Sequence, residues 1–373
     1  MFLWGTYFTW LWIHVFRRDT EGNILAGHAL LWADWSAHIT YASVFAYRDP
    51  SDWFVSHPLY SQAKFSYPFV PDALSGLLMR MGVDIIPAFI IPSIVVTLLF
   101  LYVLFRFMVH FTHRVKAAFI AVCLFFFSGG LGFLYAIQTD GSQYNWYTHI
   151  PEHGVYFINF IVGEMLPQRT FLFGLPIALA IILLLEHIIS AKRKSILAPS
   201  VIAGLLAGSL TVIHPHSLIV VFVVSSFYLL QYRHLFRRFL IYAATAGLIV
   251  SLFWLLFLVG SNTGSAPHLQ LGWMANESNM LIFELLNFGI LLPLGIYAAA
   301  KQRLLTHPLF MSGIFLFVAC HFVSFQAWEW DNTKLFTYAY LFLLIPIAKY
   351  IVFLWEDHHR KIINKSSVLF LCV

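Results

Sequence analysis

The sequence predicts an all-α integral membrane protein, a polytopic helical bundle of about ten spans with membrane-surface helices in its first outer loop. Hydrophobic residues make up 60% of the 373 and charged residues only 10%, whereas soluble domains contain about 25% charged residues. The mean hydropathy is +0.78, and the 38 Phe, 17 Tyr and 12 Trp are typical of chains that pack against lipid and its interfaces. These observations exclude an ordinary soluble domain, and we expect a single transmembrane domain over residues 1–373.

The net charge and the cysteines give no indication of nucleic-acid binding, a zinc site or disulfide bonds. The formal net charge of +5 does not indicate nucleic-acid binding, because the basic residues form short clusters between apolar stretches, as orientation signals do. The three cysteines, Cys123, Cys320 and Cys372, lie in apolar stretches and show neither zinc-type spacing nor a disulfide framework. We therefore expect them to pack as small hydrophobic residues.

The N-terminal part of the chain predicts a short first span and a long outer loop. The stretch FLWGTYFTWLWIHVF lacks the basic segment and cleavage site of a signal peptide. As a helix its about 15 residues extend roughly 22 Å, which is shorter than the hydrocarbon core. Residues 17–83 form the first extracytoplasmic loop, with a helix near 26–47 and a second over DALSGLLMRMG. Both are expected to lie along the membrane surface.

Apolar stretches alternate with polar connections in the rest of the chain. The run 198–231 is too long for one span and is interrupted by HPHS at 214–217, which predicts two antiparallel helices. The final VLFLCV predicts the opening of a further span and hence a truncated C-terminus. The remaining spans are expected near 85–107, 115–137, 170–190, 235–259, 280–300, 307–325 and 335–355.

The distribution of charge predicts the orientation of these spans. One set of connections carries 14 of the 22 Lys and Arg residues and only three acids, Glu186, Glu356 and Asp357. By the positive-inside rule this face is cytoplasmic. The opposite face holds the longer loops and the unusual polar residues, so we expect the active face to be extracytoplasmic.

The stretch WADWSAH, residues 32–38, is the strongest candidate for chemistry on the outer face. Asp34 and His38 are four residues apart, so in a helix they lie on the same face. A carboxylate beside an imidazole suits proton transfer or metal binding, and Trp32 and Trp35 suit stacking on sugar rings. The alternative is a surface helix whose Asp and His are only solvated.

Four other polar segments fall on the outer face in this topology. Each has a structural alternative, because aromatic loops form interfacial belts, prolines end helices and the two histidines of HPHS suit helix caps. Taken together they favour a substrate pocket. The residues expected to bind substrate are Asp72, Arg169, His214, His216, Glu329, Asp331, Asn332 and Lys334.

Arg169 and Lys334 each stand at the start of a predicted span. At such a position backbone N–H groups and a cationic side chain suit the binding of a phosphate. With Asp34 as a base, the set suits transfer of a sugar from a lipid phosphate, a leaving group that needs nearby positive charge. The expected partners are therefore membrane lipid and a lipid-linked sugar donor.

A first span followed by a long outer loop with an acidic residue on a membrane-lying helix resembles the GT-C superfamily of polytopic glycosyltransferases. The segments FSYPFVPDALSGLL, LPQRTFLFGLP and WEWDNTKL are similar to those of bacterial membrane proteins of this kind. The resemblance covers most of the chain in layout and implies a polyprenyl-phosphate sugar donor. It also implies an essential acid in the first extracytoplasmic loop, which here falls on Asp34. Many such enzymes have two adjacent acids there, whereas Trp35 follows Asp34 in this chain.

Other functions remain open. A transporter or flippase of a lipid-linked or small polar substrate would show a polar track through the bilayer. A non-catalytic membrane assembly subunit would tolerate the loss of Asp34, and an oligosaccharide ligase would share the layout of a monosaccharide transferase. A divalent metal, with Asp34, His38 and His214 as ligands, is a further alternative, although no local spacing indicates one.

Overall fold

A computed structural model describes residues 1–60, 63–138, 149–191, 196–259, 267–275 and 279–357. Within these ranges the protein is almost entirely helical, with two small antiparallel strand pairs. The helices are α1 (Phe2–Val15), α2 (Ala29–Tyr47), α3 (Val70–Arg80), α4 (Ile85–Thr112), α5 (Val115–Phe126), α6 (Phe133–Gln138), α7 (Arg169–Ser190), α8 (Leu197–Ile213), α9 (Pro215–Gln231), α10 (Phe236–Phe253), α11 (Met280–Phe288), α12 (Leu291–Lys301), α13 (Pro308–Ala319) and α14 (Thr333–Glu356). The strands are β1 (Phe16–Arg18), β2 (Ile24–Ala26), β3 (His268–Leu269) and β4 (Val323–Ser324).

The chain divides into two compact units, each made of two separate segments. The first unit comprises Met1–Val103 and Val162–Gly264, and the second comprises Leu104–Ile161 and Ser265–Val373. The predicted candidate residues up to His216 belong to the first unit, and those from Glu329 to Lys334 belong to the second. A single transmembrane domain stays a prediction.

The first unit places the predicted outer loop against the start of α7. Strands β1 and β2 pair antiparallel, and α2 packs along α3, which in turn contacts α7 and α8. Helices α2 and α3 approach so closely that a Cβ at Gly76 would lie 2.3 Å from the carbonyl oxygen of Ala42. Tyr41 and Phe45 of α2 and Phe65 of the segment between α2 and α3 form a buried aromatic core.

The second unit is organised around α14, which contacts α5, α12 and α13 and is buried along most of its length. In the same unit, a side-chain amide on α11 binds the loop that contains Tyr156 and Phe157. The amide oxygen of Asn287 accepts hydrogen bonds from the backbone N–H groups of Tyr156 (2.7 Å) and Phe157 (2.9 Å). This satisfies loop backbone groups that burial would otherwise leave without partners.

Long apolar helices are present, as the composition predicts for an integral membrane protein. In the ranges given above, four helical segments are long and apolar enough to cross a bilayer. They are Ile85–Thr112, Arg169–Ser190, Arg233–Leu258 and Glu329–Glu356, and the bent pair Met280–Phe288 and Leu291–Lys301 makes a fifth if it counts as one span. Helices α5, α8, α9 and α13 are apolar but have only 12 to 17 residues, which is shorter than the candidate spans. A total of about ten spans therefore stays a prediction.

Several predicted helices differ from those in the structure. The one predicted near 115–137 is two, because α5 ends before the flexible pair Gly129-Gly130 and the side chain of Asn159 donates to the carbonyl of Phe126 at that end. The one predicted near 280–300 bends by 76° at Gly289, whose φ of 57° suits glycine. The one predicted near 307–325 ends at Ala319 and is followed by β4. The break of 198–231 at HPHS is confirmed.

Candidate functional site

The close packing of α2 on α3 brings two predicted site residues into contact. His38, on α2, directs Nδ1 toward the carboxylate of Asp72 in the first turn of α3, at 2.9 Å from Oδ2 and 3.1 Å from Oδ1. Both side chains are buried, His38 with 4% of its side chain exposed and Asp72 with none. The contact depends on Gly76, one turn further along α3, because a larger residue there would hold the two helices apart.

Arg169, the first residue of α7, completes a buried cluster with this pair. Its Nε lies 3.4 Å from Asp72 Oδ1, and neither side chain is exposed. Its Nη2 donates to the hydroxyl of Ser75 (2.7 Å) and to the carbonyl of Pro71 (3.2 Å). The positive end of the α7 dipole disfavours a cation at this position, and the negative charge of Asp72 opposes this effect. Among the described residues Nε itself makes no hydrogen bond.

Aromatic rings enclose the rest of the Arg169 side chain. The guanidinium carbon lies 4.2 Å from the centre of the Phe89 ring and 5.3 Å from that of Trp35, as in cation–π contacts. The Nη1 atom has no hydrogen-bond partner in the part of the chain that the structure describes. Arg169 therefore belongs to the packed interior in this structure, and its predicted contact with a donor phosphate stays a prediction.

The residue that precedes Arg169, Gln168, binds the carboxylate of Asp34. The side-chain amide of Gln168 donates to Asp34 Oδ2 at 2.6 Å, and Asp34 is half-buried. Adjacent residues thus contact two of the carboxylates in the first loop: Gln168 binds the one on α2, and Arg169 lies beside the one on α3. The predicted partnership of Asp34 and His38 is replaced by contacts of each residue with a different segment.

The negative charge of Asp72 affects its aromatic neighbours. Burial and then the charge of Asp72 raise the pKa of Tyr41 to about 12, so this phenol stays protonated at neutral pH. The rings of Tyr41 and Tyr67 both lie edge-on to the His38 ring. The imidazole is therefore held by one carboxylate and two aromatic side chains.

Two residues of the first loop that were expected to meet a substrate are buried. Asp72 has no exposed surface and contacts His38 and Arg169, and its contact with a substrate stays a prediction. Trp35 is buried, with 1% of its surface exposed, and its ring N–H donates to the carbonyl of Leu166. It therefore cannot stack on a sugar in this structure, whereas Trp32 is 74% exposed.

The two histidines of HPHS lie at the junction of α8 and α9, where His214 acts as a helix cap. His214 Nδ1 accepts hydrogen bonds from the backbone N–H (3.2 Å) and the hydroxyl (2.7 Å) of Ser217. Its ring stacks on Phe171 of α7 and lies 5.2 Å from the ring of His216, centre to centre. Both histidines are buried, so the structural alternative describes His214 better than the predicted contact with substrate.

The predicted residues of the second unit form a compact turn before α14. Lys334 Nζ lies 2.8 Å from Asp331 Oδ1, which balances its charge locally. Asn332 binds backbone, donating to the carbonyls of Cys320 and Val323 and accepting from the N–H of Phe325. These contacts occupy the amide of Asn332 in this structure, and its contact with a substrate stays a prediction. Glu329 is half-buried, and its carbonyl accepts from Trp273.

The metal hypothesis gains no support from the geometry. Within the described ranges, no group of three or more His, Cys, Asp or Glu side chains is placed to hold an ion. Asp34, His38 and His214 therefore do not form a ligand set, because other elements bind each of these side chains.

Two contacts of the structure were not predicted from the sequence. Gln168 stands beside Arg169 in a segment that the sequence singled out, yet nothing in its local pattern indicates a contact with Asp34, which is 134 residues distant. In the second unit, His321 Nε2 lies 2.6 Å from Glu284 Oε1. Ionisable residues at the predicted ends of two apolar stretches were the only available signal for this pair.

Comparisons with known proteins found no match among family models, curated proteins or solved structures.

Proposed function

We propose that this protein is a glycosyltransferase of the GT-C kind, which moves a sugar from a polyprenyl-phosphate donor to an acceptor hydroxyl. The proposal includes about ten spans, with α2 and α3 on the extracytoplasmic surface of a bacterial plasma membrane. The observation that supports it best is the half-buried carboxylate of Asp34, which Gln168 orients beside the buried cluster of His38, Asp72 and Arg169. Such an arrangement gives a base a defined position next to a rigid support.

The reaction assigns a proton transfer to Asp34. The carboxylate takes the proton of the acceptor hydroxyl while the hydroxyl oxygen forms a bond to the anomeric carbon of the donor sugar. The bond from that carbon to the phosphate oxygen breaks, and its electron pair leaves with the lipid phosphate. Positive charge near this oxygen stabilises the transition state.

Arg169, which lies in the same unit as Asp34, is the cation proposed for that role, and the phosphate contact expected of Lys334 stays a prediction. Each has a carboxylate partner, Asp72 for Arg169 and Asp331 for Lys334. A phosphate that binds either of them must compete with this partner. Separation of Arg169 from Asp72 would leave two fully buried charges, whereas the side chains of Lys334 and Asp331 keep 8% and 17% of their surface exposed.

Sugar transfer by membranes that contain the protein tests the proposal. Radiolabelled polyprenyl-phosphate sugars are offered to wild type, Asp34→Asn and Asp52→Asn, an exposed aspartate of the same loop. Wild type and Asp52→Asn should transfer sugar equally, and Asp34→Asn should be slower by about 10²- to 10⁴-fold because it lacks the base. Equal rates in all three variants would remove Asp34 from the mechanism, and no transfer by folded wild type with any donor would reject the function.

A transporter of lipid-linked substrates is the second candidate, and one observation favours it. Helices α11 and α12 form a pair bent by 76°, and α11 carries Glu284 in contact with His321. Broken helices with paired ionisable side chains are typical of transporters. Vesicles that contain wild type or Glu284→Gln separate the candidates, because only a transporter would move a fluorescent polyprenyl phosphate across the bilayer and lose this movement in the variant. An assembly subunit would show neither activity and would tolerate Asp34→Asn.

A further inference from the structure

The contact between His38 and Asp72 decides which nitrogen of the His38 ring carries a proton. Both oxygens of the carboxylate lie within 3.1 Å of Nδ1, and an ionised carboxylate only accepts hydrogen bonds. Nδ1 must therefore donate. In a neutral ring with its proton on Nδ1, the lone pair that accepts hydrogen bonds is on Nε2.

The buried cluster contains one guanidinium and one carboxylate beside the imidazole. The side chains of Arg169 and Asp72 are fully buried, and only 4% of the His38 side chain is exposed. The single carboxylate therefore serves both basic side chains, and it reaches the ring at Nδ1.

The second ring nitrogen of His38, Nε2, is not bound by Asp72. In the described part of the chain, the hydrogen bonds of His38 all pass through Nδ1 to Asp72. His38 also lies one helical turn from Asp34, on the same side of α2. Nε2 is thus the acceptor that this cluster offers beside the proposed base.

We propose that Asp72 is a positioning residue that keeps the His38 proton on Nδ1, so that Nε2 accepts a hydrogen bond from a hydroxyl of the acceptor substrate. The inference rests on the proposed function and refines it. The hydroxyl that donates to Nε2 is a second one, next to the hydroxyl that Asp34 deprotonates. The acceptor is therefore a polyhydroxylated group such as a sugar, because a phosphate or carboxylate anion has no proton to donate to Nε2.

The substitution Asp72→Asn should reverse the tautomer. An asparagine has one accepting oxygen and one donating NH₂ group. The guanidinium of Arg169 only donates and lies beside Oδ1, so the amide oxygen should take that place and the NH₂ group the place of Oδ2. Because the Oδ2 position is the nearer of the two to Nδ1, at 2.9 Å against 3.1 Å, Nδ1 should then accept from the NH₂ group, which moves the ring proton to Nε2.

Nitrogen NMR of the imidazole ring tests this directly and does not depend on enzyme activity. The whole protein is labelled with ¹⁵N-histidine in lipid nanodiscs, and His38 is identified among the 17 histidines as the signal absent from His38→Gln. Wild type should show Nδ1–H, Asp72→Asn should show Nε2–H, and Asp52→Asn should match wild type. A wild-type ring protonated on Nε2, or an unchanged tautomer in Asp72→Asn, would overturn the inference. If Asp72→Asn does not fold, the wild-type tautomer alone still decides.

The transfer assay separates this inference from the proposed function. Loss of one hydrogen bond to the acceptor should slow transfer by Asp72→Asn about tenfold, much less than the loss expected for Asp34→Asn. A reversed tautomer with unchanged transfer would overturn the contact between Nε2 and the acceptor. No transfer by wild type would reject the glycosyltransferase, while the NMR result would still establish or refute the role of Asp72 toward His38.

Discussion

Separating the buried pair of Arg169 and Asp72 should destabilise the protein far more than separating an exposed pair of the same chemistry. The perturbation is a double-mutant cycle of Arg169→Met, Asp72→Leu and the double variant. Each single substitution leaves a fully buried charge without its main partner. The double variant removes both charges together.

The burial of the two side chains determines the expected coupling free energy. Removal of one partner from a buried ion pair costs about 3–5 kcal/mol, whereas replacement of both by apolar residues of similar volume is close to neutral. We therefore expect a coupling free energy of about 3 kcal/mol or more. The control pair, Arg18 and Asp84, has the shorter separation, 2.8 Å against 3.4 Å, but its side chains are 42% and 52% exposed. Exposed pairs typically contribute about 0.2–1 kcal/mol.

The assay is equilibrium unfolding in mixed micelles, followed by tryptophan fluorescence, which gives the free energy of unfolding for the four proteins of each cycle. A large coupling for Arg169 and Asp72 with a small one for Arg18 and Asp84 is the expected result. Equal couplings in the two cycles would refute the reasoning, because burial would then have no influence on the value of the charge pair.

Two further predictions concern the supports of the cluster. Gly76→Ala should destabilise the protein by about 1–3 kcal/mol, because the new methyl group would meet the Ala42 carbonyl at 2.3 Å. Unfolding measurements check this, with Gly247→Ala, where a Cβ would meet no atom within 4 Å, for comparison. Acidification should weaken the start of α2, where His28 Nδ1 accepts from the N–H of Leu30. Burial lowers the pKa of His28 in the folded protein, so the unfolded chain binds the proton first, and stability falls as the pH drops from about 6.5. In His28→Asn, which keeps a cap that does not titrate, the unfolding free energy should lose this part of its pH dependence; an unchanged profile would contradict the assignment.

The elements that the sequence predicted correctly depend on local signals. The break at HPHS was predictable because a proline cannot continue a helix and its position is visible in the chain. Helix α3 follows from the apolar pattern after Pro71, and the structure places it at Val70–Arg80. The bend at Gly289 was missed because a single glycine inside an apolar stretch is compatible with either a continuous or a broken helix.

The pairing of the site residues was predicted less well. The four-residue spacing placed Asp34 and His38 on one helix face, and α2 confirms the helix. Spacing along one helix says nothing about which other segment approaches that face. His38 therefore proved to be the partner of Asp72, and Asp34 the partner of Gln168.

The sequence by itself determined the class of this protein, a helical chain with long apolar helices, because hydrophobic composition acts residue by residue. It also singled out Asp34, His38 and Arg169, since ionisable groups in an apolar chain are few. Only the tertiary structure decided that Arg169 is buried against Asp72 and that His38 is held through Nδ1. These contacts join segments 34 to 97 residues apart, and they exist because α2 and α3 pack closely at Gly76 and against the start of α7. Such packing depends on the shapes of all the surfaces together, which no local pattern contains.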